Sequence, residues 1–262
     1  PLANPLDFTG RSVVVTGGSR GLGRVITTTF LDAGAEVMTC ARNLPDQPVT
    51  STDGSSEAGF VVADVRDPEQ VDAVVSATIE RYGRIDILVN NAGGAPPANS
   101  ADVSPRFNEK IIALNLTAPM TFCQAVYPTM STQDGGGVII NISSVSGTRP
   151  NPRGVAYGAA KAGLENMTRT LAHEWGPDIR VIAVTVGMII TDVAHAFYGD
   201  ADRQARVAAN LPAGRLGQPA DVSDMCLVLA SPLAQWVTGT CVEVHGGGEG
   251  PAYLDTAGDD GA

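Results

Sequence analysis

The chain has 262 residues, 44% apolar and 17% charged, with a formal net charge of −11. That length and balance predict one packed α/β domain over residues 1–262 and exclude a largely disordered protein, while the acidity argues against nucleic acid or an acidic carrier protein as partner. No apolar run reaches the ~18 residues of a membrane span, Pro1–Thr9 lacks the build of a signal peptide, and Cys40, Cys123, Cys226 and Cys241 are too scattered for a disulfide frame or zinc site, so we expect a cytoplasmic protein with no metal and no membrane partner.

The β-branched run Ser12–Thr16 predicts a strand, and Leu22, Ile26 and Phe30 recur every fourth position as on one face of a helix. Glu36–Cys40 predicts a second strand and closes a βαβ unit. Between the first strand and helix lies Thr16-Gly17-Gly18-Ser19-Arg20-Gly21-Leu22-Gly23. Glycines at 17, 21 and 23 permit a tight turn and let backbone N–H groups and the helix N-terminus approach a pyrophosphate. NAD sites usually end the second strand on an Asp or Glu, whereas this chain has Ala41 and Arg42. Arg42 together with Arg20 predicts a two-pronged clamp on a 2′-phosphate, hence NADP(H). The polar stretch Asn43–Gly59 predicts a solvated loop.

The alternation continues with strands at Phe60–Ala63, Ile85–Val89, Val138–Ile142, Arg180–Val184 and Thr240–Val244. Helices are predicted over Pro68–Tyr82, one long stretch from Pro105 to Met130, Val155–Trp175 and Ala220–Leu229. Strands this rich in Val and Ile predict an α/β class fold, a doubly wound, Rossmann-like parallel sheet of about seven strands with helices on both faces. Residues 188–216 are a candidate substrate lid or an ordinary surface excursion, and the tail 250–262 reads as flexible.

Tyr157 and Lys161 stand four apart and share one face of the predicted Val155–Trp175 helix. An ammonium beside a phenol favours phenolate, which suits an acid/base; the same spacing also occurs where a half-buried Tyr sits beside an extended Lys. A serine at the end of the neighbouring strand, Ser143 or Ser144, is placed to hold a substrate oxygen.

These residues together resemble the short-chain dehydrogenase/reductase family, in its NADP(H)-preferring, 3-oxoacyl reductase-like subgroup. The resemblance runs from about Phe8 to Gly248 and rests on TGGSRGLG at 16–23, Asp64-Val65, Asn90-Asn91-Ala92-Gly93, Asn115, Ser144, and Tyr157 with Lys161. It implies that Asp64 and Val65 contact the adenine and that Asn90, Asn91 and Gly93 line the adenosine and its ribose. It implies that Asn115 perturbs its helix and anchors a proton-relay water, and that Ser144, thirteen residues before Tyr157, orients the substrate oxygen. Tyr157 then donates the proton and Lys161 binds the nicotinamide ribose.

The chain departs from the family after the sixth strand, where Ile182 and Val186 replace the usual Asn and Pro and only Gly187 remains. Ile189 and Thr191 are expected at the cofactor's carboxamide and phosphates, on a turn made less rigid by the missing Pro. Val193, Phe197 and Tyr198 suit a hydrophobic ketone or simply pack the lid; Arg149 and Arg153 meet an acidic group or solvent. The resemblance implies a ketone or alcohol substrate and a homodimer or homotetramer. The rival reading from another class is a non-catalytic NADP(H) sensor.

Overall fold

The computed structural model describes residues 4–191 and 198–250. Strands made of branched apolar residues pair side by side because each can be covered on both faces. They are β1 (Ser12–Thr16), β2 (Glu36–Ala41), β3 (Gly59–Val62), β4 (Ile87–Asn90), β5 (Gly137–Ser144), β6 (Ile179–Val186) and β7 (Cys241–Val244). Among the described residues they form one seven-stranded sheet in the order β3-β2-β1-β4-β5-β6-β7, with every pairing parallel. Chain order reverses between β1 and β4, so a crevice opens there at the strands' C-terminal ends, beyond Thr16 and Asn90.

The helices are α1 (Gly21–Asp32), α2 (Pro68–Tyr82), α3 (Pro105–Ile112), α4 (Ala118–Met130), α5 (Val155–Trp175), α6 (Ala201–Ala209) and α7 (Pro219–Ala230). Side chains alternate across β1: Val13 and Val15 join Ile26, Phe30 and Cys226 on the α1/α7 side. Val14 joins Val71, Phe122 and Leu164 beneath α2, α4 and α5. Two cores thus clamp the sheet and fix the ends of β1, β4 and β5, where the chemistry-bearing residues sit.

Two sequence expectations are corrected. The stretch Pro105–Met130 is not one continuous α-helix, because a π turn over Ala113–Thr117 separates α3 from α4. The stretch Asn43–Gly59 is not merely a solvated loop. Thr50 and Glu57 form an antiparallel bridge, Val49 and Ser51 are buried, and Asp32 of α1 accepts hydrogen bonds from both Thr52 N and Thr52 Oγ1 at 2.6 Å. Polar composition there reflects local hydrogen bonding, not freedom.

Within the proposed lid, 198–216 contributes α6, whose N-terminus is capped by Asp200 accepting from Arg203 N at 3.0 Å, and the buried Leu211 and Leu216. Val193 and Phe197, and the tail from 251 onward, lie outside the described residues. Among the described residues no helix is long and apolar enough to cross a membrane, and no cluster of His, Cys, Asp and Glu is arranged to hold a metal.

Candidate active site

The end of β5 and the first two turns of α5 bring three of the predicted groups together. Ser144 closes β5, its Oγ accepting from Ser146 N at 3.2 Å, and Tyr157 and Lys161 lie one helical turn apart on α5. Lys161 is buried, its Nζ 5.6 Å from the centroid of the Tyr157 ring and donating to the Ile142 carbonyl at 2.7 Å. Burial pushes the lysine down to about 8, because a charged ammonium is poorly solvated there. Burial also pushes the Tyr157 phenol above its ordinary value, the Ser144 hydroxyl acting the other way. Burial and the Ser144 hydroxyl, not the ammonium, therefore set the direction at this phenol.

Behind these groups lies Glu165, one turn beyond Lys161 and 4% exposed. Its Oε1 accepts from Ser143 Oγ and Thr185 Oγ1, both at 2.9 Å. Ser143 and Thr185 are paired across β5 and β6, so one carboxylate ties both strands to α5 next to Ser144. Glu165 was not singled out from sequence; its position four residues after Lys161 was the available signal. Ser143 points into this network, which leaves Ser144 as the serine beside Tyr157.

Asn115 is fully buried in the π turn. Its Nδ2 donates to Gly94 O at 3.0 Å and Ile111 O at 2.9 Å, and its Oδ1 accepts from Gly94 N at 2.8 Å. The side chain thus locks the widened turn to the loop after β4, in keeping with the helix perturbation expected of it. A Cβ on Gly93 would stand 2.8 Å from Asn115 Oδ1 and 3.5 Å from Lys161 Nζ, so only glycine lets these elements meet.

At the crevice, Gly17 and Gly21 take φ of +65° and +51°. A Cβ on Gly23 would lie 2.3 Å from the Gly17 carbonyl oxygen and 2.4 Å from Asn91 Nδ2. Asn91 donates to Thr16 O at 2.9 Å and Gly17 O at 3.3 Å, so it shapes the glycine turn. Ser19 and Leu22 are half-buried in this turn, and Arg20 is exposed at the start of α1, whose first turn has no acidic residue. Gly18, not singled out from sequence, packs against Thr39 and Thr27, the latter donating to its carbonyl at 3.1 Å.

The surroundings of the other residues expected on the adenosine side are also defined. The Asn90 side chain is buried and donates to Asn141 Oδ1 at 2.9 Å, so it braces β4 against β5 and is not offered to the crevice. Val65 packs into the core beside α2. Asp64 accepts from Arg66 Nε at 2.9 Å; that hydrogen bond is the main reason its carboxyl lies below the usual range, with the exposed Arg42 adding to it. Arg42 therefore has a carboxylate within electrostatic range, already held by Arg66.

The residues that stand in place of the Asn and Pro lie within β6. Ile182 is buried mid-strand, and Val186 pairs with Ser144 on one side and Val244 on the other. A Pro at 186 would remove an N–H from an interior strand. Gly187 continues the pairing, its N–H donating to Val244 O at 3.0 Å, and a Cβ there would meet His245 Cβ at 2.6 Å. Ile189 bridges Gly217, so the segment is tied down without the Pro, and the half-buried Thr191 follows. Burial raises the Tyr198 phenol, the Ile189 backbone opposing this and Tyr157 adding to it, so Tyr198 belongs to the surroundings of Tyr157.

The family model described as Enoyl-(Acyl carrier protein) reductase matches residues 17–249. The chain is 35% identical over 241 residues to a 3alpha-hydroxysteroid dehydrogenase of Mediterraneibacter gnavus, covering 89% of this chain and 94% of that protein. It is 35% identical over 242 residues to the 3-oxoacyl-[acyl-carrier-protein] reductase FabG of Thermotoga maritima, covering 91% and 97%. Among solved structures, a 7 alpha-hydroxysteroid dehydrogenase complexed with NADH and 7-oxo glycochenodeoxycholic acid superposes with a TM-score of 0.84 at 30% identity, covering 94% of this chain and 96% of that one. With the parallel sheet, the glycine turn at the β1/β4 crevice and Tyr157 and Lys161 beside Ser144, this chain belongs to the short-chain dehydrogenase/reductase family of oxidoreductases.

Proposed function

We propose that this protein interconverts a ketone and an alcohol with NADP(H), using Tyr157 as the acid/base. The observation that carries the reading is the convergence of Ser144, Tyr157 and Lys161 at the end of β5, beside an Asn115 whose side chain fixes the adjoining loop. In the reducing direction the Tyr157 hydroxyl gives its proton to the substrate oxygen and Ser144 Oγ holds that oxygen in line. Burial keeps the phenol protonated, the form a proton donor needs. Lys161 is held by Ile142 O beside the tyrosine ring, where it would bind a cofactor ribose.

The residues at the crevice suit a dinucleotide. The glycine turn would be filled by a Cβ at Gly23, and α1 offers its unpaired N-terminal amides without a competing acidic side chain. When bound, the cofactor supplies or accepts the hydride. Gly17, Ser19, Gly21, Leu22 and Gly23 would cradle it, Gly93 and Thr191 flank it, and Arg20 and Arg42 hold a 2′-phosphate. The 7 alpha-hydroxysteroid dehydrogenase neighbour is complexed with NADH; the preference proposed here rests on Ala41-Arg42 at the end of β2. Titration with NADPH and NADH followed by fluorescence, then a ketone panel on the saturated protein, tests both parts: equal affinities remove the cofactor assignment, and binding without oxidation of any ketone moves the reading to a sensor.

Exposed apolar residues, Trp236 at 97% and Leu233 at 62%, support assembly of this domain into a homodimer or homotetramer, which light scattering measures. Free cysteines, three of them buried, suit the reducing cytoplasm.

A further inference from the structure

A cavity of about 110 Å³ lies beside Tyr157, between the loop after β4 and the first turn of α5. Apart from Ser100, Asn108, Arg153 and Tyr157 its lining is apolar, with Phe107 and Ile111 as the largest side chains. Such a lining suits an aliphatic chain.

Arg153 is the charged residue of this lining and is exposed to solvent. It is also the one non-glycine residue with positive φ among those described, at 68°. Such a backbone is strained and persists where neighbours hold it. Here Ala98 N donates to Arg153 O at 2.8 Å, and the flanking turn is closed by Gly154 N donating to Asn151 O at 3.0 Å. Among the described residues no carboxylate pairs with Arg153, whereas Arg149, on the same loop, is held by Glu249. A guanidinium fork matches a carboxylate bidentately.

We propose that the substrate is a short aliphatic oxo acid or its hydroxy acid, with its chain in this cavity and its carboxylate on Arg153. The assignment rests on the oxidoreductase reading above and adds the chemical class of the substrate.

Ligand-observed NMR titration of the full chain with levulinate and with its neutral amide, with and without NADP⁺, tests it. Levulinate is expected to bind about tenfold more tightly than the amide, as one charge-assisted pair allows. Arg153→Asn, which tolerates left-handed backbone, should bring the two within about twofold, and Arg149→Gln should leave the preference in place. Arg153→Gly is the second variant should Asn disturb the fold. Equal binding of acid and amide by the native chain, or a preference that survives both Arg153 variants, overturns the proposal. Cofactor oxidation is followed separately: carboxylate preference without turnover removes the reductase reading and keeps the Arg153 site, while turnover of both ketones with equal kcat/KM does the reverse.

Discussion

Lys161 Nζ sits 5.6 Å from the centre of the Tyr157 ring and gives its hydrogen bond to the Ile142 carbonyl at 2.7 Å. The ammonium is thus anchored by the strand that ends in Ser144, and the tyrosine stands one turn away on the helix face above it. Tyr157→Phe removes only the hydroxyl, so the fold and cofactor affinity should persist while kcat falls about a thousandfold, within the range of a lost general acid. Paired cofactor titration and steady-state kinetics check this; near-native turnover would remove the mechanism.

Because burial holds Lys161 at about 8, well below its ordinary 10.5, the folded chain releases this proton earlier than the unfolded chain does. Between those values the unfolded state binds more protons, so stability rises as pH increases from about 8 and levels off near 10.5. The full effect is about 3 kcal/mol, and below the lower value the cost of the buried charge is fully present. Lys161→Met should be more stable than the native chain near neutral pH and should lack that rise, as read by urea unfolding at several pH values.

Arg42→Ala should erase most of the discrimination between NADPH and NADH, by weakening NADPH about ten- to a hundredfold and leaving NADH within about twofold. The two dissociation constants, measured side by side, decide it. An unchanged ratio would assign the phosphate contact elsewhere.

Gly93→Ala drives a methyl against Asn115 Oδ1, and Asn115→Ala deprives Gly94 and Ile111 of three hydrogen bonds. Each should destabilise the protein by about 1–3 kcal/mol. Both should also lower activity, because the loop between β4 and α3 flanks Lys161. Unfolding curves and kcat/KM of the two variants should move together.

Glu165→Leu leaves the Ser143 and Thr185 hydroxyls without their shared acceptor in the core. A loss of about 2–3 kcal/mol is expected, with Glu165→Gln less affected because its amide oxygen still accepts. Denaturant midpoints distinguish the two; equal loss in both would mean that the charge, not the acceptor, matters.

The sequence by itself determined the class of sheet, the bounds of β1 and α5 and the pairing of Tyr157 with Lys161, because hydrophobic period and helical spacing are local properties of the chain. The glycines of the phosphate turn were legible for the same reason: their need is a local backbone angle. Only the tertiary structure decided that Asn90 braces two strands, that Glu165 ties three elements behind Ser144, and that a π turn at Asn115 splits the long helix. These facts depend on partners far apart in sequence, such as Asn90 with Asn141 and Glu165 with Thr185. The effect of burial on Tyr157 was equally out of reach, since desolvation is set by everything packed around a side chain and spacing reports only its nearest neighbours on the helix.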